Sequence, residues 1–157
     1  AGMKFSARED VAAPIDAVFE ALNDFDGFER QAMRRGADVQ RMDPLTQPGV
    51  GMRWKAGFRM RGRQRELALE LVRYDPPNEM VFDVKSAGVS GTFTIELLAL
   101  SRSRTRMALG LEITPLTLSA RLFVQSLKLA KTSLSKRFKL RVADYAKTLE
   151  DRLQRSA

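Results

Sequence analysis

The sequence predicts an α+β domain: a strongly curved antiparallel sheet with one long C-terminal helix packed over its concave face. Three observations carry that expectation. From Val50 to Ile113 apolar and polar residues alternate strand after strand. Two short helical stretches follow the first strand. From about Thr117 to Gln154 there is no Pro or Gly, and apolar residues recur at three, four or seven. Period-two alternation makes a sheet with one buried and one wet face, and the helical period supplies the stripe that covers it.

Each element can be placed in order. Lys4 to Val11 alternates, with Phe5, Ala7, Glu9 and Val11 on one side, and reads as the first strand. Ala13-Pro14 opens a helix, since Pro suits a first helical position and Asp16 and Glu20 suit its positive end. Its apolar stripe is Ile15, Val18, Phe19 and Leu22. A second short helix runs from about Phe25 to Arg35 and is closed by Gly36. Ala37 to Met42 is a weaker strand, and Pro44, Pro48, Gly49 and Gly51 mark a loop.

The next hairpin can be registered by arithmetic. Met52, Trp54, Ala56, Phe58 and Met60 alternate with Arg53, Lys55 and Arg59. A two-residue turn at Arg61-Gly62 pairs Trp54 with Leu69, Ala56 with Leu67, Phe58 with Arg65 and Met60 with Arg63. It sets Arg53 across from Glu70, and Glu66 diagonally from Lys55. A slip of one residue would bury charge on every rung. Asp75-Pro76-Pro77-Asn78 makes the following turn. A two-residue turn at Gly88-Val89 is then expected to place Val84 opposite Phe93 and Phe82 opposite Ile95. Ser101 to Ser103 turns the last hairpin, and Thr114-Pro115 ends the sheet. The helix that follows buries Val124, Leu127, Leu134, Phe138, Val142, Tyr145 and Leu149, with its lysines mostly on the wet side.

Composition narrows the chemistry. A chain of 157 residues reads as one domain over residues 3–155, with Ala1-Gly2 ahead of Met3 as a remnant of cloning. There is no Cys and no His. Disulfides, thiolate metal sites and cysteine nucleophiles are excluded, and the commonest general base and metal ligand is missing. Neither a metal nor a cofactor is called for. The net charge of +8 favours acidic partners such as anionic lipid, nucleic acid or an anionic small molecule, or serves solubility alone. No apolar run approaches the ~20 residues that span a bilayer and no signal peptide is visible. A soluble cytoplasmic protein is the expectation.

The stretch Ala12-Ala13-Pro14-Ile15-Asp16-Ala17-Val18-Phe19-Glu20-Ala21-Leu22-Asn23-Asp24, the turn Tyr74-Asp75-Pro76-Pro77 and the element order resemble the START-like superfamily. That superfamily has the helix-grip fold and includes polyketide cyclase/dehydrase-like proteins and pollen-allergen-type lipid binders. The resemblance implies an elongated cavity between sheet and helix for lipids, quinones, polyketides or hormones, with the first turns of the last helix as a lid. Some members are enzymes and many are carriers. This chain departs from the cyclase and hydrolase members in having no His and no obvious inward carboxylate beyond Glu9.

The candidate lining is the apolar face just derived. It comprises Trp54, Phe58, Met60, Leu67, Leu69, Phe82, Val84, Phe93, Ile95, Met107 and Leu109 from the strands, with Val124 and Leu127 from the helix. Taken singly, each of these is an ordinary core residue; the set is more than one helix can fill. Arg63 and Arg65 leave the hairpin tip on the concave side, where they could hold an anionic head group by charge-assisted hydrogen bonds. The alternative is a tip that overhangs solvent.

Non-catalytic binding or transport of a hydrophobic or amphipathic molecule, such as a lipid, isoprenoid, quinone or polyketide-like compound, is the function expected. Two alternatives stay open. One is a cyclase, dehydratase or hydrolase of an aromatic or polyketide substrate, using Glu9 or Tyr145. The other is a basic interaction protein docking on RNA, a ribosome or a partner subunit. Nucleic acid is disfavoured because the aromatics point inward rather than interleaving with the arginines. Transient docking on an anionic membrane is compatible with the last helix, but its apolar stripe would first have to undock. The oligomeric state is left open.

Overall fold

The computed structural model of the chain describes residues 2–156; Ala1, part of the expected cloning remnant, lies outside them. The chain runs β1 (Met3–Val11), α1 (Ile15–Leu22), α2 (Phe25–Arg34), β2 (Asp38–Arg41), β3 (Arg53–Met60), β4 (Arg63–Asp75), β5 (Glu79–Ser86), β6 (Val89–Ser101) and β7 (Arg104–Pro115). Two helices close it, α3 (Leu118–Leu129) and α4 (Lys131–Ser156). The strands form one antiparallel sheet in the order β1-β7-β6-β5-β4-β3-β2. The meander therefore has two ends. The β3–β4 and β5–β6 turns and the start of α3 lie at the upper end, and the β4–β5 and β6–β7 turns at the lower.

The β3–β4 register is the one the side-chain pattern requires. Trp54 pairs with Leu69, Ala56 with Leu67, Phe58 with Arg65 and Met60 with Arg63. On the wet face Lys55 and Glu66 meet at 3.6 Å. Arg61 and Gly62 both have positive φ, 53° and 74°. That is what a tight two-residue turn between right-twisted strands needs.

The β5–β6 register differs from the expectation. Phe82 pairs with Phe93, Val84 with Gly91 and Met80 with Ile95, rather than Phe82 with Ile95 and Val84 with Phe93. The two-residue turn is Ala87-Gly88, both at positive φ, so glycine takes its second place and not its first. The shift is two residues, so every side chain keeps its face.

The inward residues line up across the sheet. One rung reads Phe5, Leu111, Phe93, Phe82, Leu71 and Met52, and the next Met3, Ile113, Gly91, Val84, Leu69 and Trp54. α4 packs along β1 and against α1, and α3 against β7. Phe5 and Phe138 stack at 6.0 Å, which fixes α4 on the edge strand. Glu150 accepts a hydrogen bond from the Ala12 amide at 2.6 Å, tying α4 to the β1–α1 junction. Thr105, the buried polar residue of the core, donates to the Ala13 carbonyl at 2.8 Å.

The C-terminal helical segment is not one piece. It breaks at Ala130 (φ −105°, ψ 16°), whose amide bonds to Leu127 and Lys128. With neither Pro nor Gly there, nothing in the local sequence announces the break. α3 follows the sheet's upper end while α4 follows β1, and the change of direction is taken up at one residue. No helix among the described residues is long and apolar enough to cross a membrane.

Candidate ligand-binding groove

The structure divides the expected lining into a filled half and an open half. Trp54, Phe82, Ile95 and Met107 belong to the packed core, with Leu69, Phe93 and Leu109 against it. Trp54 is the hub. Its ring lies 5.4 Å from Phe25 and 6.1 Å from Phe82, and its Nε1 donates to Glu29 at 3.1 Å. α2 thus fills the groove between β3 and α4, a role the sequence reading did not give it.

The upper half is looser. Phe58, Leu67 and Val84 face inward yet are only half-buried. Val124 is buried and Leu127 half-buried on the underside of α3. Met60 is 36% exposed at the hairpin tip. A recess of about 330 Å³ at this end, lined by Lys55, Glu66, Ala68 and Lys85 together with Val89 and Leu116, lies on the wet face of the sheet and not in the concave groove. It reaches the Ala87-Gly88 turn, where a Cβ on Gly88 would stand 2.7 Å from Thr117 Oγ1. The turn and the start of α3 therefore meet closely at this end of the sheet.

The hairpin arginines meet α3. The Arg65 guanidinium lies 5.1 Å from the Phe123 ring centre and Arg61 lies 5.7 Å from it. Arg61 also donates to Ser126 Oγ at 3.2 Å, and Arg65 to the Met60 carbonyl at 3.3 Å. The pair latches the hairpin tip across the helix by cation–π contact. Arg63 is exposed. Sequence reasoning counts Arg61 among the basic residues of the tip but does not pair it with Phe123, because Arg61 sits in the turn itself, outside the alternation.

A larger recess, about 510 Å³, lies at the other end between Arg8, Glu9, Asp10, Arg104 and Arg106. Asp10 is paired with Arg106 at 3.0 Å and Arg104 at 3.5 Å, and the Arg106 hydrogen bond lowers its pKa. It is an open, charged bowl away from the apolar rungs, and it answers its own arginines. Glu9, the one acid expected inward, is half-buried at this rim.

Titratable groups near the groove are few. Tyr74 donates to Asn23 Oδ1 at 2.7 Å, and burial raises its pKa. The Tyr145 hydroxyl is buried without a hydrogen-bond partner, 6.0 Å ring to ring from Phe28, and burial pushes it up to about 12. It is a neutral donor at ordinary pH. No group of three His, Cys, Asp or Glu gathers among the described residues in a way that could hold a metal ion.

Beside Trp54, Arg41 lies 5.5 Å from the indole and donates to Asp43 at 2.7 Å. Asp43 also accepts from the Arg53 and Leu45 amides. The Arg41 hydrogen bond, aided by those amides, brings its pKa down to about 2. A lowered folded pKa stabilises above the unfolded value and loses that contribution as pH falls through the folded one. Asp43→Asn is therefore expected to cost about 1–2 kcal/mol at neutral pH and to flatten the acid loss between about pH 4 and pH 2. Urea melts of both proteins across that range check it.

The curved sheet, the two early helices and the long closing helix define a helix-grip module of the START-like class. The chain belongs to the polyketide cyclase / dehydrase and lipid transport family, whose model matches residues 3–150. Solved structures share the fold at low identity. An aromatase/cyclase from Streptomyces sp. R1128 is 14% identical over 98% of this chain and 96% of its own, with a TM-score of 0.68. A norcoclaurine synthase mutant from Thalictrum flavum is 14% identical over 100% and 98%, also at 0.68. A protein from Thermus thermophilus is 16% identical over 99% of each chain, at 0.65. No curated protein matches the chain.

Proposed function

We propose that this protein binds a hydrophobic or amphipathic small molecule in the upper groove, beneath α3, and carries or shields it without converting it. The observation that carries the reading is a set of inward apolar side chains left half-buried in the upper half: Phe58, Leu67 and Val84. Inward apolar area that the protein itself does not cover is what a ligand can bury, at ~25 cal/mol per Å² before ordering costs. Arg63, exposed at the tip, would capture an anionic head group, with Arg65 held against Phe123 beside it. A cytoplasmic location fits this reading.

Native mass spectrometry of freshly purified protein, with extraction and identification of bound material, tests it. A stoichiometric lipid, isoprenoid or quinone is the expected result. A clean apo mass, together with no thermal stabilisation by a panel of such compounds, would sink the proposal.

A second reading is favoured by one observation, the unpartnered Tyr145 hydroxyl. A cyclase or dehydratase needs a proton donor at a chosen place, and a phenol held neutral by burial is one. The same atom makes a prediction about stability. Tyr145→Phe removes a buried hydroxyl that has no partner, so the ligand-free protein should gain about 1 kcal/mol. A loss instead would mean that the hydroxyl is satisfied by buried water.

A further inference from the structure

α3 is apolar on two faces. Its inward face presents Ala120, Val124 and Leu127, while Leu118, Leu122 and Leu129 are 73%, 66% and 91% exposed. At 3.6 residues per turn these three leucines fall within about 40° of one another, opposite Leu127. Leu116, just ahead of the helix, is 63% exposed. A stripe of exposed leucines on a helix already docked by its other side has no role in packing the sheet.

We propose that this outer face of α3 docks the protein onto an anionic lipid bilayer. The charge around the stripe selects that occupant. Arg121 and Lys128 border it on one edge. The other edge carries the β3–β4 tip, with Arg61 bonded to Ser126. Every charged residue between Glu112 and Asp144 is Lys or Arg. An apolar ridge bordered by cations is the pattern of a helix lying in the headgroup layer, its leucines among the acyl chains and its cations on anionic lipid. A second copy of the chain fits badly, because stripe-to-stripe contact sets cation against cation with no acid to answer. A nucleic acid would leave the leucines unused.

The undocking expected from the sequence is not needed, since the inward stripe stays on the sheet while the outward one meets lipid. The proposal stands apart from the ligand reading, because docking is measured on the protein with no cargo added.

Cosedimentation with phosphatidylcholine vesicles, with and without about a third phosphatidylserine, tests it. Binding is expected only with phosphatidylserine and should weaken strongly at high salt. Leu118→Gln, Leu122→Gln and Leu129→Gln together should lower binding about tenfold or more, with the circular dichroism spectrum and Tm unchanged because all three side chains are exposed. Arg121→Gln with Lys128→Gln should lower it several-fold on the same vesicles. Failure of the wild-type protein to sediment with phosphatidylserine vesicles overturns the proposal, and so does full binding by the leucine variant. A dimer that the leucine substitutions dissolve, without vesicle binding, would give this face to a second copy instead.

Discussion

Trp54→Ala should destabilise the domain by about 3–5 kcal/mol, the cost of emptying a large aromatic from a packed core. In a chain of this length that lowers Tm by about 10 °C. The reason is connectivity. Trp54 touches the Phe25 ring on α2, the Phe82 ring on β5 and the Arg41 guanidinium, and it bonds Glu29. Removing it detaches α2 from the sheet as well as leaving a void. Trp54→Phe keeps an aromatic in the stack and loses the Nε1 bond, while Glu29 stays near Arg41 at 3.9 Å. Its cost should be about 1 kcal/mol. Thermal melts of the two variants separate the contributions, and a drop of a few degrees or less for Trp54→Ala would remove Trp54 as the hub.

Leu67→Trp is expected to weaken ligand binding by about tenfold or more, equivalent to ~1.4 kcal/mol, at little cost in stability. Leu67 is half-buried and faces inward beside Phe58 and Val84 in the upper half. The side chain is already partly exposed, so added bulk there meets fewer packed atoms and the overpacking penalty is smaller than in a filled core. The same exchange at Leu71, fully buried in the lower rungs, should cost about 1–3 kcal/mol or more. Titration of the co-purifying ligand, once identified, reads the first effect and thermal melts the second. Unaltered affinity in Leu67→Trp would move the site away from the upper groove.

Much of this architecture was legible because β patterning carries its own check. In the β3–β4 hairpin the apolar face and the charged face had to agree, and only one register satisfied Leu67, Leu69 and Lys55–Glu66 together. The β5–β6 hairpin lacked such charges, so the position of Gly88 in the turn decided the register, and both assignments kept Phe82, Val84 and Phe93 inward. Face is robust to a two-residue shift; partner is not.

The site was harder to read. Periodicity says which side chains face the concave side, but not which of them α2 covers. Filling by Phe25 and Phe28 is a tertiary fact, set by where α2 lands, and it turned Trp54 and Phe82 from candidate lining into core. The outer leucines of α3 were present in the sequence at helical spacing. They were passed over because one apolar stripe was enough to explain a helix on a sheet.

The break at Ala130 also bears on how the groove can be emptied. A single rigid rod from Leu118 to Ser156 would have to peel away from β1, surrendering the Phe5–Phe138 stack and the Glu150 tie together. Cut in two, the chain confines that expense to a three-turn segment resting on β7 and the Phe123 latch. Under the proposed ligand-binding role, the groove would exchange its contents by a local fluctuation, whose free energy scales with one short helix, while the cooperative unit that holds the fold stays shut. Residence time and global stability become separately adjustable quantities.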